Sequence, residues 1–436
     1  MDEISKKLEE IVGKNFVSDK SEELYIYSID PGASEPREVN FVILPKTVEE
    51  IQKIVSFANQ EKIPITTMGG GLTLSGLTIP VKGGIVLDTK RMDKILEVNE
   101  TSRYVVLEAG VSTGKIFSYI EQNYPHLQIS IPDAPPSVTI SGNTLIHGSG
   151  YLSQQYGNHG EMINGIELVL PTCQLCKLGS CSISKYWFSR GPIPDLIGMF
   201  ISSFGTLGII TKLSIKLFPK QKERDLVFGL MKNPDVIPEL INSITSENIV
   251  EDILLGKADK PDWMKGYVFV ITYITGRSQN EINEKESILK KQIYLEKPQF
   301  AATAADFRKG GGFEYVGSFM PLEEIPEAIK LASEISYKYN IIPTLGCRVI
   351  SQGHTIMFFA SYSFNRADPD DIINARSALH ETNKMVLSLG GIPWKSELKG
   401  QKLILDRIDP AFKNLFKTIK DQLDPNGIMN PGNWEV

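Results

Sequence analysis

One order of elements occurs twice between residues 225 and 390, and this repeat constrains the fold more than any other feature of the chain. "DLVFGLM" reads as a strand, "PDVIPELINSIT" as a helix, "VEDILLG" and "GYVFVITYIT" as two strands, and "NEINEKESILKKQ" as a helix. The series then restarts with "FEYVGSFM" (strand), "PLEEIPEAIKLASEISYKYN" (helix), "IIPTLGCRVI" and "HTIMFFASYS" (strands) and "DPDDIINARSALHETNKMVLSLG" (helix). Two β-α-β-β-α units predict one broad antiparallel sheet with helices on one face. The other face of such a sheet needs a cover.

The first half alternates short strands and helices in a compact α+β unit. "EVNFVILP" is a strand closed by Pro45, and "TVEEIQKIVSFANQEK" follows with Val48, Ile51, Ile54, Val55 and Ala58 at helical spacing. "SRYVVLEAGV" is a strand, and "STGKIFSYIEQN" is a helix that Ser112 or Thr113 is placed to cap. Between the strands "IPITTM" and "GGIVLDT" stands "GGGLTLSGLTIP". A glycine run signals unusual dihedrals or a close approach of backbone. Gly69, Gly70, Gly71 and Gly76 do not fit GxGxxG, and no Gly-Lys-Ser/Thr follows, so neither a Rossmann fingerprint nor a P-loop is present. Successive peptide N–H groups can form an anion-binding concavity. Gly69 to Ser75 would cradle a pyrophosphate without a cation, with Thr73 and Ser75 adding hydroxyl donors. Taken alone, the triplet reads first as a flexible surface turn.

A chain of 436 residues is long enough for two or three domains and a sizeable core. Its net charge of -6 argues against a nucleic-acid surface. The start, "MDEISKKLEEIVGK", is charged and amphipathic rather than a signal peptide, and no run is long and apolar enough to span a bilayer. The expectation is a soluble cytoplasmic protein without a transmembrane segment.

"IPDAPPSVTISGNTLIHGSGYLSQQYGNHGEMINGIELVLP", 131 to 171, is rich in Gly, Pro and Ser yet ends in a strand, and "GTLGIITKLSIKLFP" alternates as one. Here the chain resembles the FAD-linked oxidases of the vanillyl-alcohol oxidase and p-cresol methylhydroxylase type. The resemblance rests on "GGGLTLSG", "SGNTLIHGSGY", "YGNHGEMINGIELVLP", "GTLGIITKLSIKLFP" and "LDPNGIMNPG", which occur in the family's order over nearly the whole chain. It implies an α+β protein. A two-subdomain FAD-binding domain would occupy 1–220, a substrate or cap domain with the large antiparallel sheet 221–400, and a return to the FAD domain 401–436.

The resemblance also implies what the glycines do. Gly69, Gly70, Gly71, Leu72, Thr73, Leu74 and Ser75 would wrap the FAD pyrophosphate. Pro132, Ser141, Gly142, Asn143 and Gly148 would line the flavin from the other side. Ile166, Ile209 and Ile210 would meet adenine or ribose through backbone groups, and Asn430 would close the site from the C-terminal segment. At the reacting centre, Asp133 falls where the aromatic-alcohol oxidases carry an aspartate beside the flavin, and Tyr151 matches a pocket tyrosine. Trp394 and Lys395 in "GGIPWKSE" stand where the phenol oxidases place a Tyr-Arg pair, so the cation is kept and the hydroxyl lost. Lys395 would stabilise reduced flavin or hold a substrate phenolate or carboxylate. His354 matches one of a cap histidine pair, with Gly353 in its partner's place. No histidine follows Gly71, and Tyr315 is the one candidate for a covalent link, so the FAD is expected to be non-covalent.

The resemblance implies a tight hairpin at Cys173, Cys176 and Cys181 in "PTCQLCKLGSC", and Cys347 is distant in sequence, so no metal or iron–sulfur centre is expected. The activity implied is hydride transfer from an alcohol or alkyl-phenol-like carbon to flavin. Electrons would pass to an iron–sulfur, cytochrome or electron-transfer flavoprotein subunit, and a homo-oligomer fits equally. Two alternatives stand beside this. One is a D-lactate or glycolate dehydrogenase subunit of the same superfamily. The other is a non-catalytic FAD electron-transfer subunit, against which Asp133 and Lys395 speak.

Overall fold

The computed structural model describes residues 2–258, 264–290 and 311–435, which build three main sheets. The first has four strands in the order Val17–Ser18, Phe41–Ile43, Ile85–Asp88 and Ile65–Met68, the last three parallel. Ile51, Ile54, Val55 and Ala58 on the helix Val48–Glu61 cover it, and Thr47 caps that helix by accepting from Glu50 N. Parallel neighbours need a long crossover, usually helical. Ile65–Met68 and Ile85–Asp88 are joined instead by the glycine segment, which carries no helix.

The second sheet is antiparallel in the order Ile95–Asn99, Tyr104–Glu108, Ile209–Lys216, Ile163–Val169 and Leu175–Gly179. Ile163–Val169 is buried at every residue, as a central strand covered on both faces must be. Ser112 caps the helix Thr113–Asn123 by accepting from Lys115 N. The cysteine segment forms the hairpin to Leu175–Gly179, and its thiols are free.

The third sheet has seven antiparallel strands and follows from the repeat. Glu223–Met231, Val268–Gly276 and Val250–Ala258 come from the first unit, with its third strand in the middle. Thr344–Ile350, Thr355–Phe364 and Gly312–Met320 come from the second in the mirrored order, so the units join along their second strands. The helices Ile237–Ser246, Gln279–Leu289, Ile325–Lys338 and Pro369–Ser388 pack on one face over Val270, Val316, Leu345 and Phe358. The first unit's second helix was expected over 280–292, and residues 291 and 292 lie outside the described ones. The opposite face presents Tyr315, Phe319, Ile350, Met357 and Phe359 to the first half of the chain, where Ile146 packs on them.

Ile392–Trp394 adds a seventh strand that the sequence pattern did not reveal. It pairs with only Gly317–Phe319 and is too short to show a period. Beyond it the edge of Gly312–Met320 is covered by the loop at 30–37, where Phe313 N donates to Pro31 O at 3.4 Å. No helix among the described residues is long and apolar enough to cross a membrane.

After the helix Pro410–Leu423 the chain runs back beside Ile65, with Ile65 N donating to Ile428 O at 2.7 Å and Asn430 N to Ile65 O at 2.8 Å. Asp424 makes that turn, accepting from Ile428 N at 3.0 Å and Met429 N at 2.9 Å and pairing with Lys420 at 2.5 Å. Replacing Asp424 with Ala leaves two buried amides without an acceptor, which costs about 2–4 kcal/mol. The expected outcome in thermal unfolding is a clearly lower midpoint; an unchanged one would show that the return segment docks without this carboxylate.

Candidate active site

A trough runs between the glycine segment, the segment 139–146 and the bare face of the large sheet. Its inner part is lined by Thr67, Gly69, Thr73, Ser141, Gly142, Ser203 and Ile210, and its outer part by Gly69, Gly70, Gly71, Leu72, Asn143, Tyr315, Trp394 and Lys395. Gly69, Thr73, Thr78, Thr139, Gly142 and Ile146 line both parts.

The glycines are there because the loop lies flush on 137–139. A Cβ on Gly69 would sit 2.3 Å from Thr139 Oγ1, and one on Gly70 2.8 Å from Ser137 O. Gly71 has φ 68° and Gly76 φ 65°, the left-handed region that suits glycine. From behind, the buried Asp30 accepts from Gly32 N at 2.9 Å and Gly76 N at 2.8 Å, and Arg37 donates to Gly76 O at 3.0 Å. Bare backbone thus faces the trough. The hydroxyls of Thr67 and Thr73 are buried there without a hydrogen-bond partner among the described residues. Orphaned hydroxyls beside free peptide groups are what a polar, anionic group such as a pyrophosphate would satisfy.

The outer part is aromatic with one buried cation. Lys395 is 3% exposed; its Nζ donates to Thr73 O and lies 4.0 Å from the centre of the Tyr315 ring. Trp394 Nε1 donates to Ile146 O, and its ring makes an edge contact with Phe359 at 6.3 Å. Tyr315 meets Phe359 at 5.6 Å. Glu314, one residue earlier, is fully buried and accepts from Tyr315 N at 3.1 Å and Ala33 N at 3.4 Å. Burial holds its carboxyl well above the usual range, against the pull of the Lys395 charge.

Other residues expected at the cofactor support the trough from outside its lining. Ile166 and Ile209 are wholly buried in the second sheet, and Pro132 is buried beside the loop that carries Ala134 into the trough. Leu74 has φ 67°, and a Cβ on Gly32 would meet its carbonyl at 2.1 Å; Ser75 is buried next to it. Gly148 makes room for the Asn143 amide, which a Cβ there would meet at 2.5 Å. Asn430 ties three segments together, donating to Phe204 O at 2.5 Å and accepting from Thr66 Oγ1 at 3.1 Å.

Three residues expected at the reacting centre also lie outside the lining. Asp133 projects outward, its side chain 71% exposed, and pairs with Arg348 at 2.7 Å. The loop around it bends, with Ala134 N donating to Pro132 O at 2.9 Å and Val138 N to Pro135 O at 3.0 Å, and its carboxylate reaches Arg348 on the large sheet. Tyr151 donates to Ile129 O at 2.6 Å and lies under Arg224, half-buried between the first half and the large sheet. His354 is exposed at the end of a tight turn leading into Thr355–Phe364.

Sequence reasoning passed over Arg348 and Glu314, and placed His159 in the Gly-rich segment without giving it a role. Arg348 is 3% exposed and holds Asp252 through two bonds of 3.1 and 2.9 Å. Burial raises the Asp252 carboxyl to about 6 even with the guanidinium opposing. The available signal for both Arg348 and Glu314 was a charge inside an apolar strand run, in "LGCRVI" and "FEYVGSF".

A family model described as a FAD binding domain matches residues 39–179, and one described as the C-terminal domain of FAD linked oxidases matches 283–434. The 4-cresol dehydrogenase [hydroxylating] flavoprotein subunit of Pseudomonas putida is 32% identical over 496 residues, 98% of this chain and 94% of that protein. The glycolate oxidase subunit GlcD of Bacillus subtilis is 24% identical over 474 residues, 99% of this chain and 96% of the relative. The crystal structure of p-cresol methylhydroxylase with substrate bound superposes with a TM-score of 0.87 at 21% identity, covering 100% of this chain and 96% of the other. With a trough that suits a dinucleotide, and with these matches along both halves, the chain belongs to the FAD-linked oxidoreductases of the p-cresol methylhydroxylase family.

Proposed function

We propose that the protein oxidises an alcohol or alkyl-phenol-like carbon held at the aromatic end of the trough and passes the electrons to a separate protein. Bound FAD would supply the hydride acceptor. Gly69–Gly71 and Thr73 would hold its pyrophosphate with peptide N–H groups and a hydroxyl. The observation that carries the reading is Lys395, a buried cation set between Tyr315, Trp394 and the Thr73 carbonyl. In so dry a site a fixed positive charge acts strongly on negative charge that develops on the ring system or on a phenolate. Tyr315 and Trp394 supply apolar walls that would orient a flat substrate and exclude water. Trp394, Leu72, Thr73 and Leu74 occupy the places where a phenol-binding tyrosine pair is expected, so a simple 4-hydroxybenzylic substrate fits less well than a bulkier or differently charged one.

Arg348 favours a second reading, a 2-hydroxy acid. It sits beside the loop that lines the trough at Ala134 and is held on one side by an exposed aspartate, Asp133, which a substrate carboxylate would displace. Anaerobic bleaching of the flavin by a panel of benzylic alcohols, alkylphenols and 2-hydroxy acids separates the two readings. With the substrate so found, Lys395→Met is expected to slow flavin reduction roughly ten- to a thousandfold while FAD stays bound. Unchanged reduction would remove Lys395 from the chemistry.

A protein acceptor is supported by the Pseudomonas relative, which its name makes the flavoprotein subunit of a larger enzyme. The expected outcome of stopped-flow mixing is slow re-oxidation of the reduced protein by air and fast transfer to a one-electron dye. Re-oxidation by air at the rate of turnover would contradict a dehydrogenase.

A further inference from the structure

Asn143 and His159 come from two ends of the Gly-rich segment and meet behind the trough. We propose that His159 is a positioning residue for flavin reduction, fixing the Asn143 amide so that its NH2 group rather than its carbonyl faces the isoalloxazine.

The polarity of a buried hydrogen-bond chain leads to this. Leu152 N donates to Ser130 Oγ at 3.4 Å, and Ser130 is 2% exposed. The Ser130 hydroxyl has one proton, and its partner is His159 Nε2 at 2.8 Å. A neutral imidazole that accepts at Nε2 carries its proton on Nδ1, and Nδ1 faces Asn143 Oδ1. The ring is neutral at any working pH, because burial first, and the Arg348 and His147 charges next, push it down to about 3. With its carbonyl engaged, Asn143 is left with an NH2 group that makes no hydrogen bond among the described residues and opens on the trough. The backbone holds both ends of the contact: His159 N donates to Gly148 O at 2.8 Å, and Gly148 leaves the amide its space.

The other tautomer reverses the two bonds of the His159 ring, while Leu152 N still donates to Ser130 Oγ, and turns the Asn143 carbonyl to the trough. The flavin ring edge is rich in acceptors and gains electron density on reduction, so a donor there favours the reduced form and a carbonyl opposes it. His159 thereby sets the sign of the contact without touching the cofactor. The inference rests on FAD occupying the trough and is independent of the substrate.

Ser130→Ala removes the lock on the tautomer and leaves the imidazole in place. His159→Phe removes the contact, and His159→Gln restores an N–H donor. The readout is the midpoint potential of bound FAD, with its visible spectrum. Ser130→Ala and His159→Phe are each expected to make two-electron reduction roughly tenfold less favourable, about 30 mV lower, with FAD bound, and His159→Gln to stay near the wild-type value. If His159→Phe does not fold, Ser130→Ala decides. A wild-type potential and spectrum in Ser130→Ala overturns the proposal whatever the His159 variants do, because the hydroxyl then does not set the amide.

Discussion

The contact on which the site depends is the one Lys395 makes between the two halves of the chain. A buried ammonium is costly unless it is paired and hydrogen-bonded. Here the carbonyl of Thr73 comes from the glycine segment and the Tyr315 ring from the large sheet, so the charge is satisfied only when the halves are together. Trp394, one residue earlier, reaches across the same seam to Ile146 O. Glu314 does so from the next strand, through the amide of Ala33. Each is a polar group placed on an apolar surface, so the seam specifies its own register in a way that apolar contact alone would not.

The remaining features follow from keeping that seam open to a dinucleotide. A sheet with helices on one face must cover the other, and the cover is formed by the segments that wall the trough. The glycine segment serves twice, packing flat on 137–139 on one side and presenting peptide groups on the other. Because it joins two parallel strands without a helix, its path crosses the end of the first sheet, where Asp30, Arg37 and the C-terminal segment hold it from behind.

Much of the fold was legible in the sequence, because long elements with a clear period state their own type. The helix from Val48, the strand from Ile209 and the doubled β-α-β-β-α order all appear where the pattern puts them. Ile392–Trp394 did not, since three residues carry no period. The lining of the candidate site was legible where it is bare backbone, as at Gly69–Gly71, or a cation inside a short motif, as at Lys395. It was not legible where tertiary contact decides. Asp133 and Arg348 are far apart in sequence, and nothing in "IPDAPPS" shows that the carboxylate turns to the sheet. Gly148 looked like part of the lining, yet what matters there is the side chain it lacks, which makes room for Asn143.

The central claim is that the trough walled by the glycine segment, where that segment packs on 137–139, holds the dinucleotide. It is tested most directly by titrating apoprotein with FAD and with FMN, for the wild type and for Gly70→Val. A valine at 70 would push against Ser137 O and Val138 Cα and part the two segments. The account predicts one FAD per wild-type chain, much weaker binding of FMN, and at least a tenfold loss of FAD affinity in Gly70→Val, as for about 1.4 kcal/mol or more. Equal affinity for FAD and FMN, or a Gly70→Val protein that binds FAD like the wild type, would contradict it.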